Sequence, residues 1–196
     1  MNDLFMLFVL FLFVSCNQKK SEPRTINKSE FEFSDLHNFR WKSSKISVLA
    51  NEPSLFYTRD TIFEYLKGSI EIVDFDTDAV FQFKNDTLIQ SQYIFKKIYY
   101  YTTQYISDYE LIKNALKNKY GAPVIDNYNW TNSLFRSYPD YWGVSLTLGH
   151  LACESAWKLE DSTRIYLMLH RVINNNTIEI EHSVKFASSA SIVSSG

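Results

Sequence analysis

The stretch SIEIVDFDTDAVFQFKNDTLIQSQYIF, residues 69–95, decides the fold of this chain. It is rich in β-branched and aromatic residues, which favour strands over helices. The dipeptide Asn85-Asp86 within it is typical of a tight hairpin turn. The strands that this composition predicts lie at residues 62–66, 69–75, 79–84 and 87–95. Short strands in succession with turn residues between them indicate an antiparallel meander.

The main helix is predicted directly after these strands, at residues 107–120, SDYELIKNALKNKY. Its first four residues have the S-x-x-E pattern of a capping box, and apolar residues follow at helical spacing. Gly121 then predicts a left-handed C-terminal cap, and Pro123 prevents the helix from continuing. The N-terminal signal, the spacing of apolar residues and the C-terminal signal therefore all predict the same helix.

A shorter helix is predicted ahead of the strands, within residues 35–53. Ser43 or Ser44 would cap its N-terminus, because a hydroxyl accepts a hydrogen bond from a free backbone N–H of the first turn. Ile46 and Leu49 are expected to face inward.

Strand signals return after the main helix, and residues 139–149 between them indicate a loop. The predicted strands lie at residues 127–135, 152–159, 163–171 and 177–186, with a hairpin turn at 174–176. Segregated runs of helices and strands favour an α+β fold, in which antiparallel sheet packs against two main helices. The order leaves open whether the chain consists of two similar helix-then-strands halves. We expect a single domain over residues 31–186 and a frayed tail over 187–196.

An apolar run precedes the domain: residues 4–14, LFMLFVLFLFV, contain no polar side chain. Eleven helical residues span about 16 Å, whereas a bilayer core is about 30 Å thick. The run is therefore too short to cross a membrane and has the length of the hydrophobic region of a signal peptide. Two alternatives stay open: a secretory signal with a free Cys16, and a buried helix of a cytosolic domain.

The run ends in Phe13-Val14, and Ser15, Cys16 and then polar sequence follow. The four residues Phe13-Val14-Ser15-Cys16 resemble the lipobox of bacterial lipoproteins. The resemblance implies that residues 1–15 are a signal peptide, that cleavage precedes Cys16, and that a lipid on its thiol anchors the protein to a membrane of the cell envelope. Residues 16–30 would then be a flexible tether.

The charge balance and the cysteine count argue against nucleic acid as a partner and against stabilisation by disulfide bonds. Asp3 is the only charged residue of 1–15, so its removal leaves 20 basic and 21 acidic residues. Such a balance offers no general electrostatic attraction to nucleic acid. If Cys16 is lipidated, Cys153 has no partner within the chain, which excludes a disulfide framework. Cys153 is expected to be a small buried residue.

No catalytic or metal-binding motif stands out, so we predict no catalytic residue, no metal and no cofactor. His170 and His182 would lie on opposite arms of the last hairpin and could face each other beside a glutamate. A weak metal site or two polar residues on a solvated face would both fit this pattern. Asp74, Asp76 and Asp78 alternate as in a calcium loop, but the glycine and the distal glutamate of such loops are missing. A polar turn between two strands is the preferred interpretation.

The segment SLFRSYPDYWG, residues 133–143, is the most distinctive candidate for function. Aromatic side chains are enriched at protein interfaces, and loops on a rigid scaffold often carry function. The candidate binding surface comprises Phe135, Tyr138, Tyr141 and Trp142; packing in the core is the alternative. We expect a membrane-anchored envelope lipoprotein that binds or scaffolds another envelope protein. A hydrolase or a small-ligand-binding protein with a site near this loop is the alternative, so an enzyme is disfavoured but left open.

Overall fold

The computed structural model of the chain describes residues 40–72, 75–174 and 176–189. The predicted signal peptide, Cys16 and the tether lie outside the described residues. So do Asp74 and residues 190–196 of the predicted tail.

One antiparallel sheet of eight strands dominates the described part of the chain. In chain order the strands are β1 Phe56–Arg59, β2 Glu64–Ile72, β3 Phe75–Lys84, β4 Thr87–Phe95, β5 Ile125–Trp130, β6 Leu151–Lys158, β7 Arg164–Asn174 and β8 Thr177–Ala187. Their order across the sheet is β1-β2-β3-β4-β8-β7-β6-β5. Two four-strand meanders therefore meet where β4 pairs with β8, and β1 and β5 form the two edges.

The helices are unequal in length. They are α1 Lys45–Asn51, α2 Thr103–Tyr120 and α3 Trp142–Thr147, and a 3-10 turn at Pro139–Tyr141 leads into the last. The α+β class predicted from the sequence is confirmed. Instead of two main helices, the described residues contain one long helix and two short ones, because residues 142–147 of the predicted loop are helical.

The two ends of α2 compare differently with the prediction. The helix begins at Thr103, one turn earlier than predicted, and Ser107 lies inside it with its hydroxyl donating to the Thr103 carbonyl at 3.3 Å. The predicted capping box is therefore wrong. The predicted end at Tyr120 is confirmed, and the Gly121 N–H bonds to the Lys117 carbonyl at 2.9 Å. Gly121 has the positive φ of 82° expected for a glycine cap, but its ψ of −168° is extended instead of left-handed helical.

The first helix is capped by Ser44, whose hydroxyl accepts a hydrogen bond from the Ser47 N–H at 3.2 Å. The prediction that Ile46 faces inward is wrong, because this side chain is 79% exposed. The fully buried residue is Val48, and Leu49 packs beside it. Residues two apart on a helix point about 200° apart, so Ile46 and Val48 lie on opposite sides.

The strand β2 runs without interruption through the gap between the two strands predicted at residues 62–66 and 69–75. Gly68 pairs with Ala79 in the middle of this ladder. A Cβ on Gly68 would lie 3.1 Å from Leu55 Cδ2, so the glycine permits the close approach of the preceding segment. The hairpin at Asn85-Asp86 is confirmed, with φ values of 51° and 57°. The last hairpin is also confirmed, since Asn174 pairs with Thr177.

The core lies between the helices and one face of the sheet. Every second residue of the central strands is buried there, including Phe81, Tyr93, Leu167 and Val184. From α2, the residues Tyr109, Ile112 and Leu116 pack onto this layer. Such burial contributes about 25 cal/mol for each Å² of apolar surface removed from water. The intervening strand residues point to the opposite face of the sheet.

Candidate functional site

The segment between β5 and β6 forms a compact structure at one end of the sheet. Tight turns at residues 134–137 precede the 3-10 turn and α3. Backbone hydrogen bonds close these turns: the Tyr138 N–H donates to the Phe135 carbonyl at 3.0 Å, and the Tyr141 N–H donates to the Tyr138 carbonyl at 2.9 Å. We call residues 133–143 the aromatic loop.

Three of the four aromatic residues singled out from the sequence lie together in this loop. The rings of Phe135 and Tyr141 are stacked, with centroids 5.2 Å apart and planes at 15°. Tyr138 contacts Tyr141 edge to face, with centroids 6.4 Å apart. Tyr138 is 60% exposed and Tyr141 is 51% exposed. The three rings thus support one another while presenting two large amphipathic side chains to solvent.

The fourth residue, Trp142, has a different place. Its ring packs against Tyr128 at 5.2 Å and against Trp130 at 5.7 Å, both on β5. Its indole N–H donates to the Arg136 carbonyl at 3.1 Å. The side chain is half-buried. Trp142 therefore holds the aromatic loop against the sheet instead of forming its exposed surface.

A second aromatic pair precedes the start of α2, which is where Gly143, at the end of the aromatic loop, packs. A Cβ on Gly143 would lie only 2.3 Å from the Thr102 carbonyl carbon. The residues just before this contact are Tyr100 and Tyr101, which are 90% and 62% exposed and meet edge to face at 4.9 Å. We call Tyr100, Tyr101, Phe135, Tyr138 and Tyr141 the aromatic surface.

A cluster of charged groups lies between α2 and β5, next to Trp142. The Lys113 ammonium is 2.9 Å from Glu110 Oε1 and 3.3 Å from Asp126 Oδ1, and it donates to the Tyr128 hydroxyl at 3.2 Å. The Tyr128 hydroxyl in turn donates to Glu110. Lys113 is nearly buried, so the two carboxylates compensate a charge that would otherwise be costly to desolvate. No sequence pattern predicted this cluster.

A chain of hydroxyl groups continues from this cluster into the core. The Ser155 hydroxyl donates to Asp126 Oδ1 at 2.9 Å. The Tyr109 hydroxyl lies 2.8 Å from Ser155 Oγ, and it donates there because the serine proton is already engaged. Burial raises the pKa of Tyr109 well above its ordinary value. Both Tyr109 and Ser155 are fully buried. The chain therefore links the helix to the sheet and does not expose a nucleophile to solvent.

Asp108, on the N-terminal half of α2, is a second buried acid that the sequence did not single out. Burial raises its pKa to about 6, and the nearby Lys97 opposes this rise. The Tyr99 hydroxyl donates to its carboxylate. The Tyr99 ring in turn contacts Tyr105 edge to face at 4.9 Å. Asp108 thus helps to attach the segment between β4 and α2, which carries Tyr100 and Tyr101, to the body of the helix.

The two histidines of the last hairpin do not face each other, so that prediction is wrong. The register pairs Leu169 with His182 and His170 with Glu181, which sends the two imidazoles to opposite faces. The His182 ring lies in the core against Phe95, with centroids 5.2 Å apart. Complete burial lowers its pKa to about 3. An offset of one residue in the pairing separates the two histidines.

Of the remaining metal and thiol candidates, Asp78 is paired with other side chains and Cys153 is buried. Asp76 and Asp78 lie on one face of β3, where Asp78 accepts from Ser69 at 2.9 Å and pairs with Lys96 at 2.6 Å. Within residues 40–72, 75–174 and 176–189, no three histidine, cysteine, aspartate or glutamate side chains converge as a metal site. The Cys153 thiol is buried, which raises its pKa to about 12.

A separate cavity of about 300 Å³ lies at the other end of the sheet, where α2 ends and β6 leads into β7. Its lining comprises Arg40, Trp41, Tyr120, Leu159, Asp161, Thr163 and Phe186. The Trp41 indole N–H donates to the Thr163 hydroxyl at 2.7 Å across it. Since β6 begins beside the aromatic loop and ends here, a ligand in this cavity would not contact that loop.

The chain matches no known protein family, and neither a curated protein nor a solved structure is similar enough to count as a relative. In the described part of the chain, no helix has the length and apolar character needed to cross a bilayer.

Proposed function

We propose that this chain is a lipid-anchored protein of the bacterial cell envelope that binds another protein through the aromatic surface. The observation that carries the proposal is the exposure of four tyrosines on two short segments that Gly143 brings together. Soluble proteins rarely leave large aromatic side chains clustered in solvent without a binding role.

The rigidity of the surface supports binding. Tyr141 is stacked on Phe135, and the backbone around them is closed by hydrogen bonds. A tyrosine has only two side-chain torsions to immobilise, so its ordering on binding costs little entropy. Its hydroxyl adds a directional hydrogen bond to the area that the ring buries. Tyrosine is, with tryptophan and arginine, one of the residue types enriched among those that contribute most to binding at protein interfaces.

The anchor part of the proposal depends on the sequence. The run of residues 4–14 and the lipobox-like Phe13-Val14-Ser15-Cys16 favour lipidation at Cys16. Two or more acyl chains give durable attachment, because each buried methylene contributes about 0.8 kcal/mol. The polar residues after Cys16 would let the domain reach a partner away from the lipid surface.

The experiment places a photo-crosslinking amino acid at Tyr138, and separately at Tyr100, in cells that express the full chain. Irradiation of intact envelopes is expected to give the same adduct from both positions. The matched control carries the crosslinker at Lys117, an exposed residue of α2 away from the loop. Tyr141→Ala should reduce the adduct formed at position 138. Equal adducts from position 117, or none from positions 138 and 100, would refute the proposal.

The second candidate, a hydrolase or small-ligand-binding protein, is favoured by the charged cluster around Lys113 beside Trp142. Carboxylates and a lysine that converge near a loop are the raw material of an acid–base site. If this candidate holds, Lys113→Met and Glu110→Gln abolish a defined activity while Tyr138→Ala leaves it unchanged. Protein binding predicts the reverse pattern, in which the adduct formed at position 100 is lost only in the Tyr138→Ala variant.

We further infer that the sheet arose from two similar halves. The order of elements supports this: α1 precedes β1–β4 and α2 precedes β5–β8, and the halves meet through their last strands, β4 and β8. In this interpretation α1 and α2 are equivalent, and the aromatic loop and α3 are an insertion in the second half only. The candidate site would then be the feature that distinguishes the two halves.

A further inference from the structure

The two edges of the sheet differ in how much unpaired backbone they offer. In the described part of the chain, β1 and β5 each pair with a neighbour on one side only. The strand β1 is four residues long, whereas β5 is six residues long, with four side chains exposed and two half-buried. An edge strand presents a row of unpaired N–H and C=O groups to which another chain can bind. The edge at β5 is therefore the stronger candidate for such pairing.

The strand register shows which backbone groups of β5 are unpaired. Opposite residues of an antiparallel ladder alternate between hydrogen-bonded and non-hydrogen-bonded pairs. Thr131, which follows β5, donates its N–H to the carbonyl of His150, the residue opposite it, at 2.9 Å. By alternation, the residues that bond to β6 are Ile125, Asn127 and Asn129. The residues whose N–H and C=O groups point away from the sheet are Asp126, Tyr128 and Trp130.

The ladder between β6 and β7 requires the same alternation. Leu159, just after β6, donates its N–H to the Thr163 carbonyl at 2.8 Å, and this pair continues the register of the two strands. Odd-numbered residues of β6 therefore bond to β7 and even-numbered ones to β5, so even-numbered residues of β5 face outward. Their backbone groups recur every second residue, about 6.8 Å apart. A second extended chain presents its own N–H and C=O groups at this spacing.

The features that usually protect an edge strand are missing from β5. Residues 124–131, VIDNYNWT, contain no proline and no lysine, and the register with β6 is continuous, without a bulge. The one charged residue among them is Asp126, which accepts from the Ser155 hydroxyl and lies 3.3 Å from the Lys113 ammonium. Natural sheets protect a free edge with lysine, proline or bulges. The edge of β5 is therefore suited to pairing with another chain.

From this edge we propose that the partner of this protein binds through an extended segment that pairs with β5 and adds a strand to the sheet. An extended polypeptide fits because its backbone offers alternating donors and acceptors at the spacing of the outward groups. The inference rests on the proposed function, since it takes the partner to be a protein, and it deepens that function by naming the structure that is recognised.

The side chains of β5 indicate the sequence that such a segment would have. Tyr128 and Trp130 are half-buried, and an added strand places every second side chain about 5 Å from them. These positions of the segment are expected to be aromatic or aliphatic. On the same side of the sheet, Asp126 and Glu110 carry two negative charges against the one positive charge of Lys113. This excess favours a basic side chain in the segment beside Asp126.

The edge is continuous with the aromatic loop. β5 ends at Trp130, three residues before the loop begins, and Trp142 of the loop packs on Tyr128 and Trp130. A partner segment longer than β5 would thus extend beyond the strand toward the loop. Backbone pairing along β5 would supply affinity for an extended chain, and the exposed tyrosines of the loop would add contacts to its side chains.

The test places a photo-reactive phenylalanine at Asn127, and separately at Asn129, in cells that express the full chain. Both side chains are exposed, so the replacement leaves the core unchanged. Irradiation of intact envelopes is expected to give an adduct with the same partner protein from both positions. Mass spectrometry should place the two linked residues in one segment of that partner, about two residues apart, because paired strands advance together.

The matched control carries the same photo-reactive residue at Phe56, on the opposite edge of the sheet. Phe56 is 57% exposed and lies opposite Lys67, on the face away from the buried Leu66. Its backbone bonds to β2 as that of Asn127 bonds to β6, because the Asp60 N–H donates to Phe63 in the same register. Position 56 is expected to give no adduct with this partner.

Hydrogen exchange of the purified Asn127 adduct gives a second measurement. In the free chain, the outward N–H groups of β5 exchange rapidly because they have no strand partner. In the adduct, about three more amides within residues 124–131 are expected to exchange slowly, whereas exchange in β1 should be unchanged.

No adduct from positions 127 and 129, an adduct that consists of two copies of this chain, or an equal adduct from position 56 would overturn the inference. So would linked residues that do not advance along one segment, or unchanged exchange in β5. Adducts at Tyr138 with none in β5 would refute strand pairing alone. Adducts in β5 with none at Tyr138 or Tyr100 would refute binding by the aromatic surface alone.

Discussion

Gly143→Ala is a sharp test of how the aromatic loop is held, because two effects of opposite sign compete at this position. Gly143 is the second residue of α3, and alanine in place of a helical glycine usually stabilises by about 0.5–1 kcal/mol. The added Cβ, however, would lie 2.3, 2.4 and 2.5 Å from three backbone atoms of Thr102 and Thr103. Ordinary contacts of a Cβ are 3.4–4 Å.

The backbone segments must therefore separate by about 1 Å, since no side chain can rotate away. Overpacking of this kind costs about 1–3 kcal/mol, so the clash outweighs the helix propensity. We expect a net loss of about 1–2 kcal/mol in the free energy of unfolding. We also expect a weaker adduct at Tyr138, because the loop and the segment with Tyr100 would move apart.

Urea unfolding followed by circular dichroism measures the change in stability. Val144→Ala, at the next and partly exposed position, is the matched control and should cost less than about 0.5 kcal/mol. If Gly143→Ala is as stable as the unaltered chain and forms the Tyr138 adduct equally well, the close packing of α3 on the start of α2 is wrong.

Three further changes test other parts of the structure. The pKa of His182 in the folded protein is about 3, below its ordinary 6.5, so the stability that its burial as a neutral imidazole provides is intact above pH 6.5 and is lost as the pH falls toward 3. His182→Leu should therefore flatten the pH dependence of the free energy of unfolding between pH 3 and 6.5. An unchanged slope would contradict the buried neutral imidazole. Lys113→Met leaves the carboxylates of the cluster uncompensated and should lower the free energy of unfolding in urea by about 1–3 kcal/mol. Lys117→Met, on the exposed side of α2, should lower it by almost nothing. Equal losses of stability in the two variants would argue against the cluster. Cys16→Ser should abolish lipid labelling and leave uncleaved precursor in envelopes, and normal processing of this variant would rule out the anchor.

Local sequence chemistry determined several parts of this fold. The hairpin at Asn85-Asp86 follows from residues that tolerate positive φ, and the end of α2 follows from Gly121. The α+β class follows from the periodicity of apolar residues, and the aromatic loop was located by its composition alone. These features depend on interactions between residues close together in the chain.

Other features depend on contacts between residues far apart in the chain, and only the tertiary structure decided them. Nothing local makes β4 pair with β8, and that pairing sets the eight-strand order. The register of β7 on β8 sends His170 and His182 to opposite faces, a choice that a shift by one residue would reverse. Trp142 holds the loop because β5 places Tyr128 and Trp130 beneath it. The sequence thus determined which segments could form strands, turns and an aromatic surface, while long-range packing decided which faces they share.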